Sequence, residues 1–198
     1  MLHISQRQRL YAFFSQLFTY PDAELLTVLQ GESPAEVGVL LGVAPPASAG
    51  LSLVALQEAY TGLFISRHGG VPAPPYGSVY LDDGVLMGAS TLKVTEAYHA
   101  AGLVIDGSSE PADFLATELE FLYFLVGREE EGFRGRDVAA ARLATSRQHD
   151  FLVNSLLPWL EPFADRIASS DAPPIYRWAA AGLLAFCRDE QSWLARLN

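Results

Sequence analysis

The stretch from Phe114 to Val126 limits the possible folds more than any other. Phe114, Leu115, Leu119, Phe121, Leu122, Phe124, Leu125 and Val126 fall on nearly every side of a helix. A helix that is apolar around its circumference has to be covered by other helices, which places it at the centre of a bundle. Covering faces are present elsewhere. Leu10, Tyr11, Phe13, Phe14, Leu17 and Phe18 share one wide helical face, and Leu25, Leu26, Val28 and Leu29 form a shorter one ending at Gly31. Leu53, Leu56, Tyr60, Leu63 and Phe64 resume the spacing, as do Val138, Leu143, Phe151, Leu152 and Leu156 within 137–157. Tyr176, Trp178, Leu183 and Leu184 mark a last helix over 175–186. Strand signals are nearly absent, because β-branched residues are scattered and no run alternates with period two. The expectation is an all-α, single globular multi-helix bundle over residues 1–198, with seven to nine helices and no significant sheet.

Proline and glycine punctuate this pattern. Tyr20-Pro21-Asp22 interrupts the first helix, and the Gly-, Pro- and Ala-rich residues 31–50 read as irregular, with room for one turn of helix. Arg67–Gly77 is a proline-stiffened loop that positions Tyr76, Ser78 and Tyr80. Asp83-Gly84 reads as the turn of a small hairpin-like excursion, after which Ser90 or Thr91 caps a helix that stops near Gly102. Pro111 suits the first position of the central helix, with Glu110 and Asp113 in its first turn against the positive end of the helix dipole. Gly127 and the charges after it end that helix, and Glu129, Glu130 and Glu131 read as a solvated end. Pro158 and Pro162 kink or break the helix that precedes them.

Length and composition set outer bounds. A chain of 198 residues that is 50% hydrophobic and 18% charged can build a sizeable core. The 13 basic and 23 acidic residues leave a net charge of −10, which argues against nucleic acid and suits a basic partner such as a positively charged peptide. The single cysteine, Cys187, excludes an intrachain disulfide framework and is read as a buried thiol. No signal-peptide pattern opens the chain. The uncharged stretch 37–57 contains Gly42, Pro45, Pro46, Ser48 and Gly50, so it cannot stay helical across a bilayer. A soluble, cytoplasmic protein without stable membrane insertion is expected.

Enzyme signatures are missing: the chain has no GxSxG, no P-loop, no HExxH and no GxGxxG. His3, His68, His99 and His149 are far apart, and none pairs at metal-ligand spacing. The carboxylates Glu110, Asp113 and Glu118 remain. Glu110 and Asp113 are explained by helix capping alone. Glu118 sits on the buried helix and needs a hydrogen-bonding partner, an arginine or a ligand. One reading is a small helical metal-dependent hydrolase or lyase using this Glu/Asp cluster.

The other reading rests on a resemblance. PPYGSVY at 74–80 is similar to the P-x-Y-x-S-x-Y pattern of the TorD/DmsD/NarJ family of redox-enzyme maturation chaperones. Glu110-Pro111-Ala112-Asp113-Phe114, followed by Glu118-Leu119-Glu120-Phe121-Leu122, resembles the family's E-P-x-D-H and E-L-x-F-M/L blocks. Leu156-Leu157-Pro158-Trp159-Leu160 with Phe163 is a third match, and the similarity runs in order from about residue 10 to 187. Phe114 stands where the family usually has His, and Asn154-Ser155 where many relatives carry Glu-His. The resemblance implies an all-helical, non-enzymatic chaperone. No cofactor is expected, and the extended loop 66–78 would permit a homodimer by exchange of helices between chains. The chaperone's partner would be a molybdoenzyme catalytic subunit or its twin-arginine leader peptide, and its role to assist cofactor insertion, assembly and export. By the same resemblance the peptide-binding residues are Tyr76, Ser78, Tyr80, Glu110, Pro111, Asp113 and Glu118, and the rings of Tyr76, Tyr80 and Phe114 would supply surface for the apolar part of the leader.

Overall fold

Short apolar-faced segments separated by Pro, Gly and Asp can bury their faces only by packing side by side, and the chain does so. The computed structural model describes residues 2–48, 50–104 and 110–197. In chain order the helices are α1 (Ile4–Leu17), α2 (Ala23–Gln30), α3 (Ser33–Leu41), α4 (Leu53–Tyr60), α5 (Gly77–Leu81), α6 (Ala89–Ala100), α7 (Leu115–Arg134), α8 (Val138–Phe151), α9 (Leu157–Ser169) and α10 (Pro174–Leu194). A π-helical turn, Thr61–Ile65, extends α4, and a second, Leu152–Leu156, joins α8 to α9 in one rod. Nine separate helices result among the described residues, with no sheet. The all-α expectation holds.

The central helix, α7, packs along α1 and α8, and α10 closes the bundle against α8 and α9. One apolar cluster runs through these helices. Its aromatic part, Phe18, Tyr60, Phe64, Phe163 and Tyr176, meets ring to ring with centroids 4.8–6.5 Å apart. Cys187 is fully buried within it, as expected of a thiol that fills space. Gly132 on α7 lets α8 come close, since a Cβ there would lie 2.7 Å from the Ala141 amide nitrogen.

Several local expectations are corrected. Residues 31–50 contain the nine-residue helix α3, started by Pro34 in its first turn and stopped by Gly42 in the left-handed region at φ 68°. No hairpin forms around Asp83-Gly84. The segment is helix α5 followed by a turn, and α6 begins at Ala89 behind Gly88 rather than under a Ser90 or Thr91 cap. There the Asp82 carboxylate accepts from both the amide (2.9 Å) and the hydroxyl (2.6 Å) of Ser90. Those bonds hold the Asp82 carboxyl below the usual range.

The central helix starts later and ends later than its sequence suggests. Pro111 and Asp113 lie in a turn ahead of α7, whose N-cap is Phe114. Gly127 does not stop it, and Arg128–Glu131 and Glu130–Arg134 pairs add a little support to the turns beyond. Tyr123 is exposed, so α7 is not covered all round.

Glu129 is not solvated. It is buried and accepts from Arg7 Nη1 at 2.8 Å. The same guanidinium donates to Glu190 at 2.5 Å and to Gln148, and stacks over Trp193 at 4.4 Å. Four helices, α1, α7, α8 and α10, therefore share one buried polar cluster.

Pro158 does not break its helix. It has no N–H for the Asn154 carbonyl, and the ladder steps to an i→i+5 bond, from Leu157 N–H to Leu152 C=O.

Candidate functional site

The two family-like blocks, remote in sequence, are clipped together in space. Gly77 N–H donates to the Asp113 carbonyl at 3.0 Å, and Leu115 N–H to the Pro75 carbonyl at 2.9 Å. Tyr76 and Phe114 form an isolated antiparallel bridge with their rings 5.5 Å apart. The prolines at 72, 74 and 75 keep this strand-like approach extended. Tyr98 fixes the other side by donating its hydroxyl to the Ala112 carbonyl at 2.8 Å.

This clip positions Asp113. Its side chain is fully buried, and Oδ2 accepts the Ser78 amide at 2.7 Å, so it caps the neighbouring α5 rather than α7. Oδ1 has no partner. Glu118, in the first turn of α7, is also fully buried. The Trp159 indole donates to its Oε2 at 3.3 Å, and Oε1 is left without a partner. Burial pushes the Glu118 carboxyl well above the ordinary range, the Asp113 charge adds to the rise, and the indole bond opposes it.

Both carboxyls line one cavity of about 250 Å³. As neither has exposed surface, they form its floor. Gly77, Leu81, Asp82, Ser90, Lys93 and Val94 make one side, and Asn154, Ser155, Pro158 and Trp159 the other. The π-helical turn before Pro158 carries Asn154 and Ser155, and such turns often occur where a helix has to redirect side chains into a site. Gly77 is required by close approach: a Cβ there would sit 2.9 Å from Trp159 Nε1, the group that holds Glu118. A larger cleft of about 360 Å³ lies between α3 and α10, but none of its lining residues carries a buried, unpartnered side-chain polar atom.

The remaining candidates are not at the floor. Ser78 is buried behind it, with its hydroxyl accepting the Met87 amide at 3.1 Å. Tyr80 stacks on the far side of this region, 5.6 Å from the Trp159 ring, under the Arg166 guanidinium at 4.5 Å. Glu110 is exposed and accepts the Tyr76 hydroxyl at 3.0 Å. Burial, helped by that bond, raises the Tyr76 phenol above its ordinary range. Pro111 sits in the turn between, and Phe114 is buried against Tyr76. Thus Glu110 is not brought to Asp113 and Glu118. Among the described residues no group of three or more His, Cys, Asp or Glu is placed to hold a metal, so the acidic cluster needed for a metal-dependent hydrolase is not assembled.

Sequence reasoning missed Lys93, Asp82 and the part played by Trp159. The signal for Trp159 is available in principle, because a core indole needs an acceptor for its N–H. Lys93 is the only lysine in the chain, yet nothing in its neighbourhood points to a cavity.

The geometry that joins these two blocks agrees with what comparison finds. The profile of the nitrate reductase delta subunit family matches residues 30–165. The chain belongs to this family, the TorD/NarJ group. Among its curated relatives, "Chaperone protein TorD" of Vibrio cholerae is 35% identical over 126 residues, covering 63% of this chain and 56% of that protein. The chain thus matches just over half the length of such relatives. TorD of Shewanella piezotolerans is 25% identical over 202 residues, covering 98% of this chain and 82% of its own length. A crystal structure from Archaeoglobus fulgidus, described as a candidate redox enzyme maturation protein, superposes with a TM-score of 0.58 at 26% identity, covering 98% of this chain and 96% of that one. The relatives are named as chaperones, not enzymes. No helix among the described residues is long and apolar enough to cross a membrane.

Proposed function

We propose that this chain is a cytoplasmic maturation chaperone for a molybdoenzyme catalytic subunit, acting as a single domain. In this reading the floor of its acidic cavity receives an arginine of the subunit's twin-arginine leader. The observation that carries it is the pair Asp113 and Glu118, two buried carboxyls in one cavity, each with an oxygen that has no partner. Leaving a buried acceptor unsatisfied costs about 1–3 kcal/mol, more when it is charged. A planar guanidinium offers five donors in a fixed fork, which suits two converging carboxyls better than the single point of an ammonium. An entering guanidinium has to displace rim side chains, and Lys93, exposed and flexible, is one that can yield. Glu110 beside Tyr76 adds charge and ring surface at the flank, with Phe114 buried behind the Tyr76 ring. Tyr80, Ser78 and Pro111 act by holding the clip and the Trp159 ring.

The test is titration with synthetic leader peptides of the molybdoenzymes encoded in the same genome, against wild type and Asp113→Asn. Loss of a charge-assisted hydrogen bond should weaken binding roughly tenfold to a hundredfold with an unchanged melting temperature. Full affinity in a stably folded Asp113→Asn protein would refute the assignment.

A further inference from the structure

We propose that the segment from Leu81 to Leu92 is a docking strip for the apolar stretch that follows the arginines in the same client peptide, so that cavity and strip form one continuous site. The proposal rests on the reading of the cavity given above. Leu81, Val85, Leu86, Met87 and Leu92 are all exposed, five large apolar side chains within twelve residues. Elsewhere among the described residues no twelve-residue stretch holds more than three such side chains. A concentration of this kind marks an interaction surface.

Three features tie the strip to the cavity. Leu81 itself lines the cavity, and Leu92 directly precedes Lys93, which lines it too. Ser78 bridges the two, donating its amide to Asp113 Oδ2 and accepting the Met87 amide on its hydroxyl. Asp82, on the cavity wall, fixes the other end of the turn through Ser90. The turn is therefore ordered before any peptide arrives, which reduces the entropy lost on binding.

Met87 is the telling residue. It is held at φ 59°, a left-handed conformation that a β-carbon disfavours, and its side chain is 67% exposed. Its amide is used inward, on Ser78, while the flexible thioether faces out, where it can adapt to varied apolar partners. Leu92, 66% exposed, stands on the first turn of α6 beside it in sequence. Of the rings near the cavity, Phe114 is buried and Tyr80 is engaged between Trp159 and Arg166, so neither offers the apolar surface the strip does. The charge pattern suits the same ligand, because the carboxylates of Asp82 and Asp83 lie between the cavity side and the apolar tip of the turn, and favour a peptide that is basic first and apolar next.

The experiment compares Met87→Gly/Leu92→Ser with wild type, by fluorescence anisotropy. The probes are the full leader peptides of the molybdoenzymes encoded in the same genome and versions truncated just after the arginine pair. Glycine accepts the positive φ, so the variant keeps the turn, and its melting temperature checks this. The expected result is about a tenfold weaker full leader and an unchanged truncated peptide. Unchanged affinity for the full leader overturns the strip and leaves the cavity reading standing. A wild-type dimer that the variant converts to monomer, with leader affinity intact, assigns the strip to self-association instead and also overturns it. Failure of every full leader to bind wild type overturns the cavity reading, and the strip with it.

Discussion

Glu118 is where burial and charge meet. Its carboxyl has one long indole bond, one free oxygen and the Asp113 carboxyl lining the same cavity. The folded state therefore binds a proton at Glu118 more tightly than the unfolded chain, where the ordinary value is near 4.5. The sign follows by linkage: this group's contribution to stability is full below the unfolded pKa and is lost as pH rises through the raised folded value. Glu118→Gln, which is neutral at every pH, should remove that loss. Urea unfolding across a pH series reads it out, and wild-type and variant curves that fall in parallel would contradict the assignment. Asp113 and Glu118 were legible in the sequence as motif residues, and Glu118 also as a carboxyl on an apolar helix. That both would keep an unpartnered oxygen was not legible, because it depends on Ser78 and Trp159, which are 35 and 41 residues away in the chain.

At the scale of elements, sequence periodicity located the long helices and misjudged their ends. Gly127 suggests a stop, but helix ends follow tertiary support as much as propensity, and the buried Arg7–Glu129 pair and the close packing of Gly132 on α8 hold the turns beyond it, with the exposed Arg128–Glu131 and Glu130–Arg134 pairs adding a little. Pro158 looked like a break, but a single π-helical turn absorbs the missing donor and turns Asn154 and Ser155 into the cavity wall. The triple glutamate showed only charge. Its first member, Glu129, is one of two carboxylates held by Arg7, a contact spanning 122 residues that no local pattern reveals. Arg7→Ala would leave Glu129 and Glu190 buried without their cation. Removing one partner of such a cluster costs about 3–5 kcal/mol. The expected result is a lower urea midpoint with unchanged slope, and a midpoint within experimental error of wild type would show that α1, α7, α8 and α10 do not depend on this cluster.

For the molecule as a whole, the net charge of −10 acts together with the site. On the proposed reading, long-range attraction would speed encounter with a basic leader and weaken with salt, since the screening length falls to about 8 Å at physiological ionic strength. The fold buries the two carboxyls at one cavity, the clip between 75–78 and 113–115 aims one of them, and the π-helical rod completes the wall. Departures from the usual family pattern, Phe114 and Asn154-Ser155, fall on the clip and on that wall. They change the chemistry around the carboxyls without removing them. The most direct measurement is isothermal titration of this protein with the leader peptides of the molybdoenzymes encoded in the same genome, at low and high salt, each beside its Arg-Arg to Lys-Lys counterpart. One leader should bind, more weakly at high salt, and its Lys-Lys form should bind far less well because a compact ammonium lacks the planar fork of five donors that a guanidinium presents. Equal affinity for the arginine and lysine forms, or no affinity for any leader, would contradict a guanidinium site at Asp113 and Glu118.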